Sequence, residues 1–126
     1  MNYRYGEKMT EENLSYENLK NANLSFVDLI DADLSGANLI DADLSGADLY
    51  HANLFYANLF CANLTRVNLT CANLTGVNLT YANQRFADLT GADLTGADLS
   101  NAYLTGAHGC EKLTQISEEQ KKSVHC

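Results

Sequence analysis

The sequence contains no proline and no tryptophan, and only eight of its 126 residues are lysine or arginine, against sixteen aspartates and glutamates. The absence of proline suits a chain whose backbone amides must all donate hydrogen bonds, because proline has no N–H group. The shortage of basic residues argues against binding to nucleic acid or to an anionic membrane surface, since both depend on positive charge. No apolar run approaches the ~18 residues of a transmembrane helix. We therefore expect neither a nucleic-acid ligand nor a membrane location.

Cysteine usage and the start of the chain bear on the compartment. The segment MNYRYGEKMTEE has no apolar signal-peptide core, so we expect a cytoplasmic protein. The four cysteines form no C-x-x-C pair. Cys110 and Cys126 both lie in the C-terminal region, and whether they form a disulfide stays open.

The most regular feature is a five-residue repeat. Leucine recurs at every fifth position from Leu14 to Leu104, and Gln84 is the one centre that is not leucine. Alanine or valine stands two positions before most centres, and aspartate or asparagine usually stands one before. A five-residue step turns an α-helix by about 140°, so these leucines would make no helical face. In a flat strand the same step would alternate between the two sides.

A coil with four corners satisfies the period. Three residues run extended with the first and third pointing inward, and the next two residues turn the chain by about a right angle. Four such units make a coil of about twenty residues, and successive coils stack at roughly 4.8 Å. Cys61 and Cys71 would then lie at opposite corners, too far apart to bridge. The corner pairs include many turn formers: Ser35-Gly36, Ser45-Gly46, Thr75-Gly76, Thr90-Gly91, Thr95-Gly96 and Thr105-Gly106.

The units ADLSG, ANLTG and ADLTG resemble the A(D/N)LXX signature of the pentapeptide-repeat proteins. The resemblance covers about three-quarters of the chain. It implies an all-β fold, a right-handed four-sided parallel β-solenoid, here of about four to five coils. It implies little about function, because most members of that family have no known biochemical role.

The repeat pattern divides the chain into three parts. Residues 1–13 are predicted to be an N-terminal cap with Tyr3, Tyr5 and Met9 as apolar contacts, 14–108 the solenoid, and 109–126 a C-terminal cap. The segment LTQISEEQKKSV predicts a short helix that begins near Ser117, with Leu113 and Ile116 packed on the last coil. Such a helix either caps the open strand edge or serves for dimerisation, as it does in some members of the family.

Large apolar side chains interrupt the Ser and Thr that usually follow each leucine. With one neighbour at a corner, they form what we call the apolar belt: Ile30, Ile40, Tyr50, Phe55, Tyr56 and Phe60. One interpretation is a stacking ladder that stiffens the sheet. The other is a contact surface for an unidentified protein or for a second copy of the chain.

Nine aspartates occupy the solenoid: Asp28, Asp31, Asp33, Asp41, Asp43, Asp48, Asp88, Asp93 and Asp98. Their expected role is to accept hydrogen bonds from backbone groups at the corners. The alternative follows from the resemblance, because the quinolone-resistance members of the family mimic acidic DNA and bind DNA gyrase.

Nothing in the sequence points to catalysis. The histidines are scattered, and no metal-ligand spacing appears among the cysteine, histidine and aspartate residues. A solid solenoid core also leaves no pocket for a small molecule. We therefore expect no enzyme activity, no cofactor, no metal and no small-molecule substrate, but a rigid acidic module for protein interaction.

Overall fold

The computed structural model describes residues 6–110 and Leu113. The predicted C-terminal helix, Ile116 and Cys126 lie outside the described residues, as do Tyr3 and Tyr5. Each extended segment is so short that only its middle residue makes a β-bridge. All bridges are parallel and join residues twenty apart, from Lys8 with Asp28 to Asp88 with His108. The chain is therefore a parallel β-solenoid, as the five-residue period predicts.

Backbone hydrogen bonds tie each repeat to the coils on both sides. The N–H group of Leu64 donates to the carbonyl of Asn83 at 2.7 Å, and that of Asn63 donates to Ala42 in the opposite direction at 2.9 Å. The same donors recur at equivalent positions along the solenoid. A proline at these positions would remove a donor, which explains why the chain does without it.

Each corner is a tight turn closed by a hydrogen bond across four residues. The N–H group of Ala37 donates to the carbonyl of Leu34 at 3.0 Å, and Gly36, the third residue of the turn, has a φ of 66°. A positive φ at this position is what a type II turn requires, so the Ser-Gly and Thr-Gly pairs were correctly assigned to corners. Many corners place a larger residue there, such as Tyr56 with a φ of 54°.

The core is a single column of leucine and alanine side chains. Leu64 and the other solenoid leucines between Leu19 and Leu104 are at most 1% exposed, and most alanine slots are nearly as well covered, whereas Glu17 in the first of them is exposed and Ala92 is partly buried. Gln84 lies in the same column and is fully buried. The inward positions predicted from the repeat are confirmed.

The pairing of coils begins before residue 14, where the solenoid was expected to start. Lys8 forms the first described bridge, and Met9 occupies a leucine slot with 9% of its surface exposed. Residues 8–13, assigned from the sequence to a cap, therefore belong to a coil. At the other end Leu113 is buried against the core, as predicted.

Candidate interaction surface

The outside of the solenoid divides into four faces, because residues twenty apart lie above one another. Each face receives one five-residue unit from every coil. We name the faces in chain order. Face A contains 6–10, 26–30, 46–50, 66–70, 86–90 and 106–110; face B contains 11–15, 31–35, 51–55, 71–75 and 91–95. Face C contains 16–20, 36–40, 56–60, 76–80 and 96–100; face D contains 21–25, 41–45, 61–65, 81–85 and 101–105.

The apolar belt does not lie on one face. Ile30 and Tyr50 end units of face A, and Phe55 ends a unit of face B. Face C receives the remaining three: Ile40, Tyr56 and Phe60. The aromatic members are exposed, from 37% for Phe60 to 64% for Tyr56, whereas Ile30 and Ile40 are only partly exposed. A flat partner can therefore contact only part of the belt at once.

The belt aromatics contact other rings, either within one corner or at the same corner of the next coil. Tyr50 stacks on His51 with ring centroids 4.4 Å apart, and Phe55 meets Tyr56 edge to face at 4.5 Å. The Phe60 ring meets that of Tyr81 at 6.0 Å. The first two contacts lie within one corner, and the third joins the corners of two neighbouring coils.

Sequence reasoning missed the most exposed of the aromatic residues that the structure describes. Tyr16 is 82% exposed and occupies the second turn position, whereas the search for apolar residues centred on the first. Its ring lies over Gly36, where an added Cβ would come within 2.5 Å of Cε1 of Tyr16. Tyr56 lies over Gly76 in the same way, at 2.8 Å. The sequence itself contains the signal for these two contacts, because a glycine follows each tyrosine twenty residues later.

The aspartates serve the corners of the coil. Oδ1 of Asp98 accepts hydrogen bonds from the hydroxyl of Ser100 at 2.6 Å and from its backbone N–H at 2.9 Å. Asn residues in the same slot accept equivalent bonds, and Nδ2 of Asn53 also donates to Asp33 in the neighbouring coil at 3.2 Å. Most aspartates therefore have a structural partner at the turn that follows them.

The aspartates are shared unequally among the four faces. Face A has Asp28, Asp48 and Asp88; face B has Asp31, Asp33 and Asp93; face D has Asp41 and Asp43; face C has Asp98.

These turn contacts shift the titration of four carboxyl groups. The hydroxyl and then the backbone N–H of Thr95 hold the pKa of Asp93 below its ordinary value of 3.8, and Ser100 does the same for the pKa of Asp98. Ser35 and Thr90 likewise lower the pKa values of Asp33 and Asp88. In each case the hydrogen bonds favour the charged form over the neutral one.

Acid is expected to destabilise the solenoid through these four groups. Because their folded pKa values lie below the unfolded ones, their stabilisation is complete above pH 3.8 and is lost as the pH falls through the folded values. Urea midpoints at neutral pH and at about pH 3 would measure the loss. A variant with asparagine at all four positions keeps the acceptor oxygen and should lose less stability on acidification. An equal loss in both proteins would contradict the assignment.

His51 pairs with Asp31 through Nδ1 at 3.6 Å, and both side chains are about half exposed. Within the described part of the chain, no group of three histidine, cysteine or acidic residues could hold a metal ion, and no helix is long and apolar enough to cross a membrane. Cys61 and Cys71 are free thiols, as expected from their spacing, whereas Cys110 is disulfide-bonded.

Comparison with known proteins agrees with the geometry. A family model described as pentapeptide repeats matches residues 18–54, 57–96 and 85–108. Rfr23, a pentapeptide repeat protein from the cyanobacterium Cyanothece 51142, is 32% identical over 82% of this chain and 81% of its own, with a TM-score of 0.63. No curated protein matches significantly.

Two further solved structures are more distant. A pentapeptide repeat protein from the Arabidopsis thaliana thylakoid lumen is 26% identical over 93% of this chain and 73% of its own, with a TM-score of 0.39. Full-length QnrB1, a plasmid-mediated fluoroquinolone resistance protein, is 17% identical over 82% of this chain and 75% of its own, with a TM-score of 0.46. Neither likeness is close enough to transfer a role. The family match and the 32% identity to Rfr23 show that the chain belongs to the pentapeptide repeat family.

Proposed function

We propose that the protein is a non-catalytic interaction module that presents a rigid patterned surface to a protein partner. The observation that carries this proposal is the exposure of Tyr50, Phe55, Tyr56 and Phe60 on a framework that does not require them. The equivalent positions in the next coil hold threonine or glycine at Thr70, Thr75, Gly76 and Thr80, with the same turns and the same backbone bonds. Exposed apolar surface has a solubility cost, and contact with a partner offsets it.

DNA mimicry is less well supported by the distribution of charge. No aspartate or glutamate lies between Asp48 and Asp88, an interval of two coils or roughly 10 Å. Duplex DNA would carry about six phosphate charges over that length. The remaining aspartates are divided among four faces, and most of them are bonded to their turns. A continuous acidic track comparable to the DNA backbone is therefore missing from the described residues.

The cellular location bears on which partners the module meets. The sequence led us to expect a cytoplasmic protein, but disulfides persist mainly in oxidising compartments. The disulfide at Cys110 runs against that expectation.

Replacing Tyr50, Phe55 and Phe60 together with serine is expected to abolish partner binding while the fold persists. The three side chains lie outside the core, so circular dichroism should be unchanged. Affinity capture from lysate of the source cells, with quantitative mass spectrometry, would compare the variant with the wild type. A matched control replaces Thr70, Thr75 and Thr80 with serine, at the same corners one coil further on. The same partner set captured by the wild type and by the Tyr50/Phe55/Phe60 variant would contradict the proposal.

A further inference from the structure

One corner of the solenoid brings an aspartate, a histidine and a cysteine together. The second turn positions between faces A and B lie above one another, and in three consecutive coils they hold Asp31, His51 and Cys71. The backbone has the same left-handed conformation at all three, with a φ of 58° or 59°. The N–H group of His51 donates to the carbonyl of Thr70 at 3.0 Å, so His51 is bonded to the backbone directly beside Cys71. Successive side chains in this column therefore start about 4.8 Å apart.

The imidazole of His51 is held from two sides. Oδ1 of Asp31 lies 3.6 Å from its Nδ1, and the Tyr50 ring stacks on it with only 9° between the two planes. Its Nε2 has no hydrogen-bond partner among the described residues. A carboxylate that engages one imidazole nitrogen leaves the other nitrogen to accept a proton. His51 can therefore act as a base toward a neighbouring group.

The Cys71 thiol is free, exposed and open on the side away from His51. The next residue in the column is Gly91, where an added Cβ would come within 3.2 Å of Sγ of Cys71. Because glycine has no Cβ, the sulfur lies over a gap instead of under a side chain. A small reagent can enter that gap while the imidazole lies one coil before the sulfur.

Cys61 offers a matched comparison within the same chain. It is also a free, exposed thiol at the second turn position, with a φ of 57°. Its column holds Asp41 one coil before it and Tyr81 one coil after it. A carboxylate is too weak a base to take a thiol proton, and its negative charge disfavours a thiolate. The two cysteines therefore share a backbone conformation and differ in their neighbours.

We propose that Cys71 is a modification site that forms a mixed disulfide with a small disulfide, and that His51 takes up the thiol proton. The thiolate is the nucleophile in this exchange. The proton of Cys71 passes to Nε2 of His51, and Sγ attacks one sulfur of the reagent. The S–S bond of the reagent breaks, and its second sulfur leaves as a thiolate that takes the proton from His51. One disulfide replaces another, so no further oxidant is needed, and the site goes beyond the interaction module because it requires no protein partner.

The charge around this corner selects among small disulfides. Asp88 and Asp93 flank the column in the coil after Cys71, Asp48 lies in the coil before it, and the chain has a net charge of −8. Such a field attracts cations and repels anions over the ~10 Å that salt leaves unscreened. Cystamine, which is cationic, should therefore react faster than 3,3′-dithiodipropionate, an anionic disulfide of similar size.

The rates at the two cysteines, measured separately, test the proposal. The full chain is treated with an excess of 4,4′-dithiodipyridine, which is uncharged, and samples are quenched with acid. Arg66 lies between Cys61 and Cys71, so trypsin places them on different peptides for mass spectrometry. In wild type Cys71 should react about tenfold faster than Cys61, a modest effect for an exposed general base.

Variants at position 51 and at its counterpart in the other column decide the role of the histidine. His51→Ala should slow Cys71 to about the rate of Cys61 and leave Cys61 unchanged. His51→Gln keeps a planar polar side chain and should slow Cys71 equally. Asp41→His gives Cys61 the base that it lacks and should accelerate Cys61 alone. All these side chains are at the exposed turn, so circular dichroism should match wild type.

Asp31 is tested as a positioning residue that acts through His51. Asp31→Asn should slow Cys71 about twofold to threefold, as expected for a half-exposed ion pair. Asp31→Glu keeps a carboxylate and should restore most of the rate, which a purely structural role would not require.

Three outcomes would overturn the inference. Equal rates at the two cysteines in wild type would show that the column confers nothing on Cys71. An unchanged Cys71 rate in both His51 variants would exclude the histidine as the base. A faster reaction with 3,3′-dithiodipropionate than with cystamine would contradict the assigned class of disulfide.

Discussion

Replacing Leu64 with alanine is expected to lower the free energy of unfolding by about 2–5 kcal/mol, the usual cost of truncating a buried leucine. Leu64 is fully buried in the core column, with Leu44 one coil before it and Gln84 one coil after it. Both neighbours are held by backbone bonds, so the coils cannot close around the missing methyl groups. Part of the cost therefore comes from a residual cavity.

Thr65→Ala is the matched control for this measurement. Thr65 follows Leu64 directly, lies at the corner and is partly exposed. Its hydroxyl donates a hydrogen bond to Asn63. Apart from the loss of that bond, its replacement should lower the free energy of unfolding by less than about 0.5 kcal/mol. Denaturant midpoints of both variants decide the comparison. Equal losses would mean that the inward and outward assignments are incorrect. Stability in repeat proteins accumulates through contacts between neighbouring units. The slope of the free energy of unfolding against denaturant concentration should therefore be compared for both variants as well.

The repeat alone was sufficient to predict the core and the turns. Leucine at every fifth position and alanine two residues earlier have no common face on a helix or a flat strand, so a cornered coil was the remaining solution. The aspartate and asparagine slots were assigned to the corner backbone for the same reason, and bonds such as that from the Tyr50 N–H group to Asp48 agree with this role. Because the period is strict, it determines which positions point inward and which lie at a corner, whatever side chain occupies them.

The start of the solenoid could not be predicted from the same pattern. Lys8 and Met9 stand in slots that elsewhere hold aspartate or asparagine and leucine. Coil pairing depends on backbone groups, so the Met9 N–H group donates to Asp28 at 2.7 Å although the side-chain signature is absent. At the N-terminal end, the backbone pairing therefore extends beyond the part of the chain that carries the side-chain motif.

The candidate surface was predicted only in part. Tyr50, Phe55, Tyr56 and Phe60 are exposed as expected, but Ile30 and Ile40 are partly covered. The belt was also treated as one surface, although consecutive corners face different directions. Sorting the outward residues by face required the twenty-residue stacking of both turn positions, and that sorting brings out Tyr16.

Gln84 introduces a polar group into the same column as Leu64. It is fully buried, and neither Nε2 nor Oε1 has a hydrogen-bond partner among the described residues. A buried polar group without a partner costs about 1–3 kcal/mol. The backbone nevertheless keeps its regular bonds, since the Gln84 N–H group donates to Tyr103 at 2.7 Å. The repeat therefore accommodates the amide without a change in backbone bonding, and the unbonded amide lowers the free energy of unfolding.

The two core positions should therefore be coupled. In wild type, the cavity left by Leu64→Ala opens next to the Gln84 amide, and water that enters it can bind that amide. With leucine at position 84 the same cavity would be wholly apolar and would stay empty. A double-mutant cycle should show a larger cost for Leu64→Ala in the Gln84→Leu background than in wild type. Equal costs would mean that the two side chains do not share a cavity.

Gln84→Leu is expected to raise the free energy of unfolding by about 2–4 kcal/mol, because it removes two unsatisfied groups and restores the leucine column. Gln84→Met is the second variant, since it keeps the unbranched shape of glutamine while removing the amide, and it should also stabilise. Arg85→Leu, one residue further and exposed, adds apolar surface without relieving a buried group and should give no increase. Thermal and denaturant unfolding of the three variants would measure the differences. A fall in stability for both Gln84 variants would show that the amide is bonded in solution and that the fourth coil depends on it.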